Sequence, residues 1–131
     1  MTDARDQIRH LRKSYMRCQQ AGDAEGCVRH WDADGVLLPP NQASVKGADA
    51  LLSWYRAAFK EFSLDFHLSY DEIQINGDWS FASGTVSGTM TRKAGGDPIE
   101  DLGKFLEIHR RQPDGSWKFA RHMWSSDKEG H

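Results

Sequence analysis

The chemistry-bearing residues gather toward the end of the chain, where positions 117–127 read WKFARHMWSSD. An imidazole titrates close to neutral pH, so His122 can accept or return a proton without help from a cofactor. Trp124, two residues on, offers a flat apolar surface for a ligand to lie against. Alternation along a strand puts Lys118, Ala120, His122 and Trp124 on one face, and Trp117, Phe119, Arg121 and Met123 on the other. Only one set is expected to face the interior, and the apolar members of the odd set give it a fair claim. The plain alternative is a histidine hydrogen-bonded within the sheet or exposed at a subunit face.

Tyr15 is a second candidate, since its hydroxyl could meet a ligand oxygen or simply end a core side chain. Trp31, Trp54, Tyr55 and Phe59 suit an aromatic wall, though packing between helices and sheet would account for most of them. Trp54, off the main stripe of its helix, is best placed to meet a ligand. His67 lies on a strand and faces either the cleft or the outside. Asp32 and Asp34 in WDADG are short acids ahead of a strand, which commonly hydrogen-bond the turn. Glu107 and Arg121 are read as a cross-strand ion pair. His30 and His109 lack partners at ligand spacing, which argues against a metal site. Cys18 and Cys27, without a CxxC, are read as reduced, packed thiols. With no phosphate-cradling glycine loop or nucleophile elbow, no cofactor is expected.

These residues need elements to hold them. Residues 3–21 carry Ile8, Leu11, Tyr15 and Cys18 at helical spacing, with the charges of RHLRKSYMR opposite that stripe as a solvated face. Gly22 suits a left-handed helix end, and Asp23 can cap a second helix over 24–31 that ends on Trp31. GVLLPP is a short strand stopped by Pro39 and Pro40, and SVKG adds a brief one. Gly47 opens a third helix over 48–62 with Leu51, Leu52, Tyr55, Ala58, Phe59 and Phe62 on one side. Beyond it the period changes from 3.6 to 2. Strands over 65–75 and 78–91 meet at Asn76-Gly77, and strands over 99–111 and 116–126 meet at QPDGS. Gly84 and Gly88 let the long second strand bend. Three helices followed by four long antiparallel strands predict an α+β fold, a curved sheet wrapping its helices as a cone.

With 131 residues the chain is expected to be one domain, 1–131, large enough to bury roughly two-thirds of its unfolded surface. Five Trp, six Phe and three Tyr suit an apolar pocket or a subunit face. A net charge of −2 with both signs interspersed leaves no footprint for nucleic acid. No apolar run is long enough to span a membrane and no signal peptide is seen, so the cytoplasm is the expected compartment.

Taken in order, YMRCQQAGDAEGCVRHWDADGVLLPP, VKGADALLSWY, INGDWSFASG and GKFLEIHRRQPDGSWKFARHMWSSD resemble the nuclear-transport-factor-2-like superfamily. The branch it resembles is the one containing SnoaL-like polyketide cyclases and ketosteroid isomerase, and the likeness covers essentially the whole chain. It implies a cystatin-like cone with a pocket at its open end, and a homodimer through the outer sheet face. It does not fix the reaction, because isomerases, cyclases, dehydratases and binding subunits share the fold. Tyr15 matches the helix-1 tyrosine of the isomerases. Their carboxylate base would fall at Pro39, which has no proton to exchange, and their oxyanion acid near Lys104 to Leu106, where no acid stands. The implication runs against steroid isomerisation. It favours a small apolar or aromatic ligand and cofactor-free isomerisation, cyclisation or dehydration. On this reading the even set lines the pocket. His122 transfers the proton, Tyr15 stabilises developing charge, and Trp54 with Trp124 holds the ligand's flat face. Trp31, Phe59, Leu106 and Ala120 complete the lining. The alternative is a non-catalytic dimerisation or ligand-sequestering module, in which Phe105, Trp117 and Phe119 would matter more than His122.

Overall fold

In the computed structural model, which describes residues 3–128, helix α1 runs Ala4–Ala21. The Asp3 carboxylate accepts the Asp6 N–H at 2.9 Å, and Gly22 closes the helix with φ 70°, a left-handed turn that a β-carbon would strain. Asp23 then caps α2, Ala24–Arg29, by accepting the Gly26 N–H at 2.9 Å. That helix stops short of the expected 31. Trp31 belongs instead to β1, Trp31–Leu38, where it pairs with Phe119. After β2, Val45–Lys46, helix α3 spans Ala48–Glu61 and passes straight into β3, Phe62–Asn76. Strands β4, Trp79–Arg92, β5, Ile99–Arg111, and β6, Trp117–Ser126, complete the chain within a residue or so of their expected bounds.

All six strands form one sheet in the order β2-β1-β6-β5-β4-β3. The α+β cone anticipated from the sequence is present, with one amendment to its antiparallel sheet: β1 and β6 run parallel. The reason is topological. Three successive hairpin-linked pairings carry the chain from β3 back to β6, and the last strand then lies beside β1 on the side away from β2. Ile8, Leu11, Tyr15, Cys27, Leu51, Tyr55 and Phe59 from the helices bury against Leu37, Ile73, Ala82, Trp117 and Phe119 of the sheet. No helix among the described residues is long and apolar enough to cross a membrane.

Two irregularities aim the inward side chains. In β6 the pairing jumps from Ile108–Arg121 to His109–Phe119, leaving Ala120 as an extra residue. Such a bulge reverses the inside–outside alternation. Trp117 and Phe119 therefore face the core before the bulge, while His122 and Trp124 turn inward after it and Arg121 and Met123 turn out. Neither strict set faces the helices; each supplies half. The sheet also coils tightly at Gly84, where a β-carbon would lie 1.9 Å from the Ser69 carbonyl oxygen of the neighbouring strand.

Candidate functional site

The concave face can be read strand by strand from the pairing register. Residues directly opposite one another share a face, so Ile73, Ala82, Glu107, His122 and Leu37 form one row across the sheet. Tyr70, Gly84, Phe105 and Trp124 form the next. Glu107 therefore points into the helix–sheet interior, where it is fully buried. A lone carboxylate there would be costly, and it is retained only by charge and hydrogen-bond partners.

Arg12 supplies the charge. It sits on the apolar stripe of α1, one turn from Ile8 and from Tyr15, is only 6% exposed, and donates through Nη2 to Glu107 Oε2. The expectation that every charge of RHLRKSYMR lies on a solvated face fails at this position. Its guanidinium carbon stands 4.7 Å over the Phe119 ring and 5.2 Å over Tyr15, a cation–π cage that offsets part of its desolvation. Tyr70 donates its hydroxyl to Glu107 Oε1, its ring tilted against Phe105 at 5.7 Å over the side-chain-free Gly84 that lies between them. His109, also fully buried, places Nε2 3.1 Å from the same oxygen and Nδ1 2.6 Å from Ser80 Oγ. Burial and the Arg12 charge push the His109 pKa down to about 3, so it stays neutral, with Nε2–H donating to Glu107.

His122 completes the arrangement. Nδ1 is 3.3 Å from Glu107 Oε2 and 3.5 Å from Arg12 Nη2. Burial, reinforced by the Arg12 charge, holds its pKa well below the ordinary imidazole value. In the neutral ring the nearby carboxylate favours the proton on Nδ1, which leaves the Nε2 lone pair as acceptor. Among the described residues Nε2 has no hydrogen-bond partner, and the side chain keeps 14% exposure. The ring lies between Phe105, stacked at 6.0 Å, and Trp124 at 5.5 Å, and Trp54 meets Trp124 edge-on at 6.3 Å. Half-buried Trp54 is itself steadied by donating Nε1 to Gln42 Oε1 at 3.0 Å. A neutral imidazole buttressed by a buried carboxylate and bordered by two half-buried indoles is equipped to take a proton from a flat apolar molecule.

The residues singled out from the sequence divide accordingly. His122, Trp124 and Trp54 come together. Tyr15 does not join them: its hydroxyl is 2.6 Å from that of Tyr55, which also accepts the Trp31 indole N–H at 3.0 Å, and burial drives the phenol pKa far upward. Trp31 and Phe59 are core, the latter stacked on Tyr55 at 5.8 Å. These rings fill the space between helices and sheet where an apolar hollow was expected. Ala120 is buried at the bulge. Leu106 lies on the outer face, 41% exposed, because its neighbours Phe105 and Glu107 take the inward positions. Glu107 and Arg121 are not a pair: Glu107 points in to Arg12, while Arg121 points out and donates to the Asp34 carbonyl at 3.1 Å. His67 faces outward, near Asp65. Asp32 holds its turn by accepting the Asp34 N–H at 3.1 Å.

Sequence reasoning passed over Arg12 and Tyr70, and it gave Glu107 the wrong partner in Arg121. A signal existed for two of them. Arg12 interrupts an apolar stripe at helical spacing, and Glu107 shares its strand face with Phe105 and His109. Elsewhere among the described residues a cleft of about 690 Å³ lies beside Asp32, Asp78, Trp79 and Arg110, and another of about 510 Å³ lies between α1 and β3.

Similarity to known proteins agrees with this architecture. A ketosteroid isomerase-like protein from Erwinia carotovora atroseptica SCRI1043 is 26% identical, superposes with a TM-score of 0.84, and aligns over 92% of this chain and 94% of its own. An NTF2-like protein with a cystatin-like fold from Novosphingobium aromaticivorans is 22% identical at a TM-score of 0.75, over 97% and 83% of the two chains. An NTF2-like superfamily protein from Salmonella enterica serovar Typhimurium LT2 is 16% identical at 0.78, over 95% and 91%. No curated protein sequence matches the chain. The model of the SnoaL-like domain matches residues 1–122, a span that holds the three helices, the first five strands and the inward row containing His122, so the chain belongs to the SnoaL-like domain family.

Proposed function

We propose that the protein binds a small apolar or aromatic molecule against Trp54 and Trp124 and moves a proton on it without a cofactor. His122 Nε2 is the acid–base group, and Glu107 is the positioning residue that fixes the ring through Nδ1. One observation carries the reading: an imidazole whose first nitrogen lies 3.3 Å from a buried carboxylate and whose second has no protein partner among the described residues. Isomerisation, cyclisation and dehydration all begin with such a transfer.

A chemically undemanding probe tests the base itself. Removing the C3 proton of 5-nitrobenzisoxazole breaks the N–O bond and gives a nitrile with a coloured phenolate, so the electron pair and the proton are both accounted for. Because the His122 pKa is lowered, the base form is already complete at neutral pH. Turnover should be flat through neutrality and fall only on acidification well below 6.5. His122→Ala should cut the rate by about a hundredfold or more. Equal rates in the variant would remove His122 from the reaction. A wild-type rate no faster than buffer would end the catalytic reading and leave ligand sequestration.

A further inference from the structure

The cleft between α1 and β3 has a chemistry of its own. Its helical wall is the stripe Arg9, Arg12, Lys13, Met16 and Gln20, and its sheet wall runs from Phe66 to Tyr70, with Phe66, Leu68 and Tyr70 half-buried and His67 and Ser69 exposed at the rim. Among the described residues no carboxylate lines it. Three cations from one helix face therefore stand over a strand that offers Phe66 and Leu68 as apolar surface, in a volume of about 510 Å³, within the range that holds small molecules.

Arg12 supplies the second, independent observation. A guanidinium has five N–H donors. This one is 94% buried and spends only Nη2 on a strong acceptor, Glu107. Its Nη1 meets nothing better than the Met16 thioether sulfur at 3.7 Å, and its buried Nε has no partner among the described residues. Buried donors left short of acceptors are rare because each costs free energy. Met16, the weak acceptor, itself lines the cleft, so a stronger acceptor arriving there would replace a sulfur contact with a charge-assisted bond.

We propose that this cleft is a binding site for an apolar carboxylate, its anionic end among Arg9, Arg12 and Lys13 and its apolar body against Met16, Phe66 and Leu68. The site stands apart from proton transfer at His122, which does not line it, although Arg12 and Tyr70 belong both to its walls and to the Glu107 network. A ligand here would therefore be felt at the buried carboxylate.

The test compares two probes of one shape, 2-naphthoate and its neutral amide 2-naphthamide, by titration calorimetry at low salt. The acid should bind more tightly by about tenfold, the value of a hydrogen bond made to a charged partner. Arg9→Glu and Lys13→Glu, both exposed and hence tolerant of change, should abolish that preference. Leu68→Trp should abolish binding of both probes by filling the cleft. Arg121→Glu, on the opposite face of the sheet, should leave the preference intact. Equal affinity for acid and amide overturns the proposal, as does failure of both to bind. An Arg121→Glu effect matching that of Lys13→Glu would also overturn it, since the preference would then report net charge alone.

Discussion

At the residue scale the molecule turns on one ion pair between elements far apart in sequence. Arg12 and Glu107 are each buried, and their charges cancel only while both are present. Glu107→Leu would leave a guanidinium in the core with its main acceptor gone, at a cost of about 3–5 kcal/mol. The double variant Arg12→Met with Glu107→Leu replaces the pair by packing and should be less destabilised than Glu107→Leu alone. Urea denaturation of the two variants and the wild type decides the order; a double variant weaker than the Glu107→Leu single would mean that the ionic pair is worth more than its apolar replacement. The sequence pointed to His122, Trp54 and Trp124 because imidazole and indole are conspicuous wherever they fall. It hid Glu107 because a carboxylate on a strand is ordinarily solvated, and only the long-range partner on α1 makes its burial tolerable. A partner 95 positions away has no local signature.

At the scale of elements, period and turn chemistry carried most of the fold. Asn76-Gly77 placed the β3–β4 hairpin, and Gly22 and Asp23 placed the break between the first two helices. The β6 bulge was the part that could not be read. Ala120 looks like any small strand residue, yet as the extra residue of β6 it lets Phe119 and His122 of that strand both face inward, the second reaching Glu107 of β5. The parallel β1–β6 contact was equally silent, since it depends on where the sheet closes. Gly84 shows how little room that curvature leaves. A methyl group there would meet a backbone carbonyl, which cannot swing aside as a side chain can. Gly84→Ala should therefore destabilise by about 2 kcal/mol or more, against roughly half a kcal/mol or less for an ordinary surface change such as Ser87→Ala on the same strand. Comparable urea midpoints for the two would show that the strands have slack at this crossing.

At the scale of the whole molecule the unexplained feature is the outer face of the sheet. A helix-covered inner face already buries its apolar row, so the outer one would be expected to be polar. Instead Leu106 and Met123 stand directly opposite one another on β5 and β6 at 41% and 47% exposure, with Phe81 and Leu102 close by at 41% and 51%. The residues the sequence assigned to a contact surface, Phe105, Trp117 and Phe119, are interior, and this other set takes their place as the apolar strip on the sheet. A second copy of the chain is the occupant we favour, because the strip lies on a regular sheet that a twofold axis can present to itself, and a partner would need to cover about 800 Å² on each side. Leu106→Lys puts a charge at the centre of the strip without touching the core. It should leave the unfolding free energy of the isolated fold within about half a kcal/mol of wild type. Sedimentation velocity should then give a two-protomer species for the wild type and a single protomer for the variant. A wild-type protein that sediments as one protomer at every accessible concentration would mean that the strip serves something other than self-association.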